Sequence, residues 1–593
     1  MTSSARVGES ILDEIDMDDA ALSAAVPNSA KSGSSWRQNK WFLRSLSIVV
    51  VMTFWQVFGQ KFPYTTSYPT AVWKSAVKTF FTDVLPAFKF TLETFGIGFA
   101  ICIIIGVPVG FAMARLKPVQ LVIEPYTVML FSIPIVAMFP VLLVAFGVSF
   151  GLRIAVVVVT GIFPIIINTF LGAQRVDPSL ADVGKTFVAS PWKTLTTIIA
   201  PGSLPYVFAG IRIGFARGMI GAVVIELEAS AIGVGSLMQK DAQNLAMDNF
   251  FVVLLLLGTF SLCATLLIRK AASWSTEPWK RKVSRRALSE VERISNESSA
   301  LSVGSPQARI IRPTSPALIV LRSLTARPAS AWRRFRPLLD TKWASWLVRI
   351  SVFGLIVAYW QYKSKYISRA VLPSPRALLS AGYSLIFGTH EVIAPLLNSL
   401  MVLGLGFGLS VVIGIPVGLI MGRSKIIENV ADPYVSFIYA LPHVSFVPLM
   451  IVWLGFGIKF RLAYVVISAV FPVIINTMTG VKNIDPELVN TGRSFCASNR
   501  SIMRTIIIPG ATPFMIAGAR LAFSAAWVGV VVGEILSTQD GLGGLISRYS
   551  DSFNTAEMMV PIILIMAIAV LILKATTYLQ AHLTPWYEAD IRR

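Results

Sequence analysis

Two pairs of charged residues stand inside apolar runs, and both pairs have the same separation of 308 positions: Arg212 with Arg520, and Glu226 with Glu534. Charge within a hydrocarbon-length run is costly and marks either a polar path or a residue already at the run's edge. The glutamates are therefore candidates for an outer gate or an external contact, and they fit equally well as groups at an interface. The arginines would draw an anion if they face inward, and snorkel to the nearer surface if they do not. The tripeptide Gly184-Lys185-Thr186 looks like the end of a phosphate-binding loop. That loop needs a glycine five residues before the glycine of the tripeptide and a strand in front of it. Ser179 stands there instead, so no nucleotide site is expected in this chain. Cys102, Cys263 and Cys496 have no metal-ligand spacing and read as small packing residues.

The 308-residue offset is general. It carries Asp177-Pro178 onto Asp485-Pro486, Pro108 onto Pro416, Pro134 onto Pro442, Pro140 onto Pro448, Pro164 onto Pro472 and Asn168 onto Asn476. No gap interrupts the stretch from about Gly96 to Leu237. Such a period is far too long for a solenoid unit and means two copies of one domain.

The chain is 54% hydrophobic and 14% charged, with a mean hydropathy of +0.68. Soluble domains carry about 25% charged residues, so the class expected is an all-α membrane protein. Runs long enough to cross a bilayer place helices near 42–60, 88–115, 119–147, 152–172, 204–228 and 249–270. Matching helices fall near 345–362, 392–422, 427–455, 460–481, 512–536 and 557–579. The net charge of +21 does not point to nucleic acid, because Lys and Arg crowd 269–342 and the short loops at Arg115 to Lys117 and Arg423 to Lys425. That is how cytoplasmic loops are marked. The expected order is a tail over 1–39 with no signal-peptide pattern, a six-helix domain over 40–270, a basic linker over 271–344, a second six-helix domain over 345–580, and a tail over 581–593. The linker includes one amphipathic piece, Arg285 to Ile294. Six is even, so both halves insert the same way up, both termini are cytoplasmic, and a pseudo-twofold axis runs along the membrane normal.

One long polar-side loop lies between the fourth and fifth helices of each half. Asp177 and Asp485 can cap a short helix, with Pro178 and Pro486 at its first position. Ser190-Pro191 repeats that start signal, and Pro201-Gly202 and Pro509-Gly510 are expected to end the second short helix. Leu180, Val183, Phe187, Trp192 and Leu195 have no obvious burial partner except a second protein or the chain's own bundle.

This loop resembles the EAA loop of ATP-binding-cassette importer permeases. Wider matches resemble the branch for nitrate, taurine, sulfonates and similar solutes: Leu372-Pro373-Ser374-Pro375, Asp432-Pro433-Tyr434, Phe471 to Thr477, Asp485 to Val489, and Gly541-Leu542-Gly543. The first half repeats them with Ile123 to Tyr126, Phe163 to Thr169 and Gly233-Val234-Gly235. The resemblance implies a type I importer fold of about twelve helices in two parallel permease domains, in a bacterial inner membrane. It also implies two cytoplasmic ATPase subunits, an extracytoplasmic solute-binding protein, ATP bound only by the partner, and no chemistry in this chain. It assigns coupling to Asp177, Asp182, Gly184, Val188, Pro201 and Pro205, and to Asp485, Asn490, Gly492, Cys496, Pro509 and Pro513. Departures are plain. Asp182-Val183-Gly184 and Asn490-Thr491-Gly492 replace Glu-Ala-Ala, and Val188 and Cys496 replace the glycine.

Pro134 and Pro442 break the third helices, where freed backbone groups are tolerated beside a cavity. With Arg212, Glu226, Arg520 and Glu534 they are the candidates for the pathway or its gate. A bare carboxylate repels an anion, so the glutamates are poor ligands for one. His443 has Ile135 as its equivalent and reads as incidental. The rival reading is a secondary transporter with two six-helix halves, which would need coupling-ion groups in mid-span.

Overall fold

Inside a bilayer a segment must satisfy its own amides, so long apolar runs become helices. The computed structural model describes residues 40–132, 135–177, 179–180, 190–229, 232–300, 342–369, 371–537 and 540–583, and no strand occurs among them. The first half comprises α1 (Lys40–Lys61), α2 (Pro69–Thr79), α3 (Leu85–Arg115), α4 (Lys117–Ser132), α5 (Phe139–Phe146), α6 (Phe150–Gln174), α7 (Ala200–Ala229), α8 (Val234–Gln243) and α9 (Met247–Ala300). The second comprises α10 (Lys342–Lys363), α11 (Pro375–Tyr383), α12 (Ile393–Arg423), α13 (Lys425–Ala440), α14 (Val447–Leu454), α15 (Ile458–Lys482), α16 (Pro486–Ser494), α17 (Ile508–Ser537), α18 (Gly541–Asp551) and α19 (Thr555–Leu583). Helices α3, α4, α5, α6, α7 and α9 each begin 308 residues before their counterparts.

Nine described helical stretches are long and apolar enough to cross a membrane, and eleven if each bent pair is one span. The bent pairs are the third spans, turned by 96° in the first half and 93° in the second. Helix α10 occupies the remaining position, but Arg349 interrupts it and Trp and Tyr dilute it. Three features were not expected. Amphipathic helices α2 and α11 precede the second spans, the short helices α8 and α18 follow the fifth, and α9 runs beyond residue 270 to Ala300, taking in Arg285 to Ile294.

Within each half α3, α6 and α7 (or α12, α15 and α17) pack side by side. Small residues set their approach, as in membrane helix pairs generally. A Cβ on Gly110 would lie 2.6 Å from Thr169 Cβ, and one on the equivalent Gly418 would lie 2.7 Å from Thr477 Cβ.

The halves interlock through their third spans. Helix α13 packs on α1 and α9 of the first half, and α4 packs on α10 and α19 of the second. Leu441 and Leu449 belong to the first half's core, and Ala137 to the second's. Tyr434 donates to Ser47 Oγ at 3.2 Å, Trp453 Nε1 donates to the Thr65 carbonyl at 2.6 Å, and Gly258 lets Phe437 and Leu441 pack closely on α9. Elsewhere the outer helices expose apolar side chains such as Val49, Val50 and Phe54, the face that meets lipid.

Candidate functional site

In the second half the loop between the fourth and fifth spans folds as two short helices joined by a tight turn. The Asp485 carboxylate accepts the Glu487 amide at 2.9 Å and caps α16, with Pro486 at its first position. In the first half Asp177 accepts the Ser179 amide at 2.8 Å, which holds its carboxyl below the usual range. Asp182, Gly184 and Val188 lie outside the described residues. Ser190 and Ser498 then cap one helical turn each, both accepting an amide three residues on at 3.2 Å.

Pro201 and Pro509 do not end these turns. A five-residue π segment, Leu195–Ile199 or Met503–Ile507, leads straight into α7 or α17. Its wider register bonds Ala200 to Leu195 and Ile508 to Met503, so a proline just beyond it meets no donor it must replace. The last helical turn of each loop and the fifth span are thus one rod, running over Pro191–Ala229 and Asn499–Leu536. Pro205 and Pro513 lie inside it.

Helix α16 buries none of its residues. Gly492 faces Ile502 and Ile506 at distances that leave a Cβ only 3.0 Å from Ile506 Cδ1, and this seats α16 on its own rod. Beside that contact an apolar strip stays open: Leu488, one turn before Gly492, is 56% exposed, and Phe495, the residue that caps the end of α16, is 83% exposed. Leu180 and Trp192 are exposed in the first loop. Asn490 lies within α16. Cys496, where a glycine was expected, adopts φ +54. Its amide bonds the Arg493 carbonyl at 2.8 Å, and Ala497 bonds Gly492 at 3.0 Å. This is a Schellman cap, and it puts an L side chain where glycine is favoured.

Glu226 and Glu534 are not at an open edge. They are 1% and 0% exposed. Glu226 accepts the Thr91 hydroxyl at 2.8 Å and the Gly235 amide at 2.9 Å. Glu534 accepts the Ser399 hydroxyl at 2.7 Å and the Gly543 amide at 2.9 Å. The hydroxyls in turn accept the amides of Val234 and Leu542, each at 2.9 Å. Each carboxylate therefore caps a helix N-terminus, α8 or α18, and ties it to the second and fifth spans. Anions are favoured at that end of a helix dipole. Gly233 (φ +125) and Gly541 (φ +78) make room, because a Cβ there would fall 2.3 or 2.2 Å from the carboxyl carbon. The paired Gly-x-Gly motifs are the other half of these buried anchors.

Arg212 and Arg520 face the seam between halves. Arg212 lies in electrostatic reach of Tyr439, at the end of α13. Arg520 lines a shallow crevice with Phe131 of α4 and with Phe523, Ser524 and Trp527. Phe131 and Tyr439 are equivalent positions, so each arginine looks onto the other half's third span. Pro442 starts the 3-10 turn that follows α13, and Pro134 lies outside the described residues. Asn168 and Asn476 bond the carbonyls of Pro164 and Pro472 within their own helices, at 2.8 Å each.

A family model described as binding-protein-dependent transport system inner membrane component matches the chain twice, over residues 103–273 and 414–588. A taurine transport system permease protein of Escherichia coli is 27% identical over 238 residues, which is 39% of this chain and 86% of that protein. A permease assigned to aliphatic sulfonates transport in the same organism is 30% identical over 224 residues, 37% of this chain and 85% of its own. A formylaminopyrimidine transport permease protein of Halalkalibacterium halodurans is 26% identical, over 40% of this chain and 93% of its own length. Each relative is about as long as one half of this chain.

Proposed function

Because the chain belongs to the binding-protein-dependent transport system inner membrane components, with two such domains fused, we propose that it is the complete membrane path of an ATP-driven importer. Two cytoplasmic ATPase subunits grip the two loops, and an extracytoplasmic binding protein delivers a small solute, of the kind its taurine and sulfonate relatives are named for. ATP is bound and hydrolysed by the partner. Both termini and both loops are then cytoplasmic, and Glu226 and Glu534 lie toward the outer side.

The observation that carries this reading is the open apolar strip that Leu488 of α16 and its capping residue Phe495 form. An aromatic side chain that is 83% exposed on a polar-side loop is a surface awaiting a partner. Because α16 sits against the rod that runs on into the fifth span, movement of the loop moves Arg212 and Arg520 at the seam. A motor can shift such an equilibrium only through differential binding to its two states, and two loops on separate rods, one in each half, supply that when the halves rock and their spacing changes.

The test replaces Leu488 and Phe495 by Asp in the full chain. These side chains are mostly solvent-facing, so the expected outcome is normal insertion and melting with loss of ATPase co-purification. Retained ATPase would refute the assignment. Uptake that persists when the ATPase cannot hydrolyse ATP would favour the secondary transporter.

A further inference from the structure

The two halves match at almost every polar position described above, but not at the axis. Arg217 stacks on the Phe131 ring at 4.1 Å and donates to the Phe131 carbonyl at 3.3 Å. It also lies in the field of Tyr439. A side chain beside both members of a symmetry-related pair lies close to the axis that relates them. Arg217 is half-buried, and among the described residues no carboxylate pairs with it within 4 Å.

Unsatisfied donors lie on the 3-10 turn His443–Phe446, which packs on the helix that carries Arg217, and on the neighbouring Tyr464. His443 lies in electrostatic reach of Arg217, and its ring stands 5.9 Å from that of Tyr464. His443 Nε2, Ser445 Oγ and the Tyr464 hydroxyl are enclosed without a hydrogen-bond partner, and Ser445 and Tyr464 are fully buried. A buried polar group left unpaired costs about 1–3 kcal/mol, so two on one 3-10 turn and a third on the ring beside it point to an absent partner. The equivalents of Arg217, His443, Ser445 and Tyr464 are Ala525, Ile135, Ala137 and Val156. By contrast Thr169 and Thr477, also without side-chain partners, are a symmetric pair.

We propose that Arg217, His443, Ser445 and Tyr464 form a single solute site on the axis, for the oxyanion group (sulfonate, carboxylate or nitrate) of the transported molecule. Every member can donate, with His443 donating from Nε2 when that nitrogen holds the proton, and an oxyanion only accepts. One half supplies the cation and the other the neutral donors, so a chain holds one solute, not two. The inference rests on the importer reading and adds to it the residues that hold the solute and the number held per chain.

The experiment uses the full chain in nanodiscs without ATPase, titrated with radiolabelled methanesulfonate, with nitrate as competitor and choline as the cationic control. Wild type is expected to saturate at one methanesulfonate per chain, displaced by nitrate and not by choline. Arg217→Gln should weaken binding by about 10-fold or more, the loss of one charge-assisted hydrogen bond. Tyr464→Phe, which keeps the packing, should weaken it about 3- to 10-fold at an unchanged melting point. No saturable binding to wild type, two sites per chain, or Tyr464→Phe affinity within twofold of wild type would overturn the proposal. None of these results touches the importer reading, which stands or falls on ATPase co-purification and ATP-dependent uptake.

Discussion

Replacing Gly541 by Ala tests the buried anchor most directly. The added Cβ would fall 2.2 Å from both Cδ and Oε1 of Glu534 and 2.5 Å from Oε2. The carboxylate cannot retreat without leaving Ser399 and the Gly543 amide. The left-handed conformation costs a non-glycine residue about 1–2 kcal/mol, and two charge-assisted hydrogen bonds are worth about 1.5–3 kcal/mol each. The prediction is a loss of about 4–8 kcal/mol. In a Glu534→Ala background the obstacle is gone, and only the conformational cost of about 1–2 kcal/mol remains. The coupling energy should then be about 3–6 kcal/mol. The assay is the unfolding midpoint of the purified chain in mixed detergent, for wild type, both single variants and the double variant. Coupling below about 0.5 kcal/mol, the range of independent sites, would refute the argument that these glycines exist to seat the carboxylates.

Cys496→Gly should stabilise the chain by about 1 kcal/mol, because glycine carries no penalty at φ +54; an unchanged midpoint would count against the Schellman cap. Gly258→Val should destabilise the seam by about 1–3 kcal/mol by overpacking, since its Cβ would lie 2.7 Å from the Phe437 ring. Gly404→Val, which meets nothing within 4 Å, is the neutral control, and equal losses would argue against the interlock. Burial raises Asp241, on the short helix α8, from 3.8 to about 6. An acid raised on folding contributes stability below its unfolded value and loses it as pH rises through the folded value. The wild-type midpoint should therefore fall relative to Asp241→Asn between pH 4 and 6, and a constant difference would contradict the burial argument.

Much of the architecture is legible in the sequence because prolines, asparagines and acids recur at 308 and apolar runs have bilayer length. What covers what is not legible. Apolar length marks a span near 119–147 but cannot say that α10 and α19, from the other half, pack on its first helix α4. Pro201 and Pro509 read as helix stops because the π segment that admits them has no residue signature. Glu226 reads as an edge or a gate because its partner Thr91 is 135 positions away, although the Gly-x-Gly spacing beside it was visible. Cys496 stands where the family pattern has glycine, yet the cap forms. His443 reads as incidental because it lacks a counterpart. At an axis, that lack is the signal, since only there does a symmetric frame need to become asymmetric to hold one small molecule.

The exchange of third spans has a consequence for synthesis. Helix α4 ends at Ser132, while α19, part of its resting place, ends at Leu583. Chain growth at about 5–20 residues per second leaves α4 without that neighbour for roughly 20–90 seconds after it is made. The amino-terminal bundle therefore cannot reach its final form while the ribosome is still working on the carboxyl-terminal one. A message truncated between them yields a membrane protein with an unclad helix, a ready substrate for quality-control proteases.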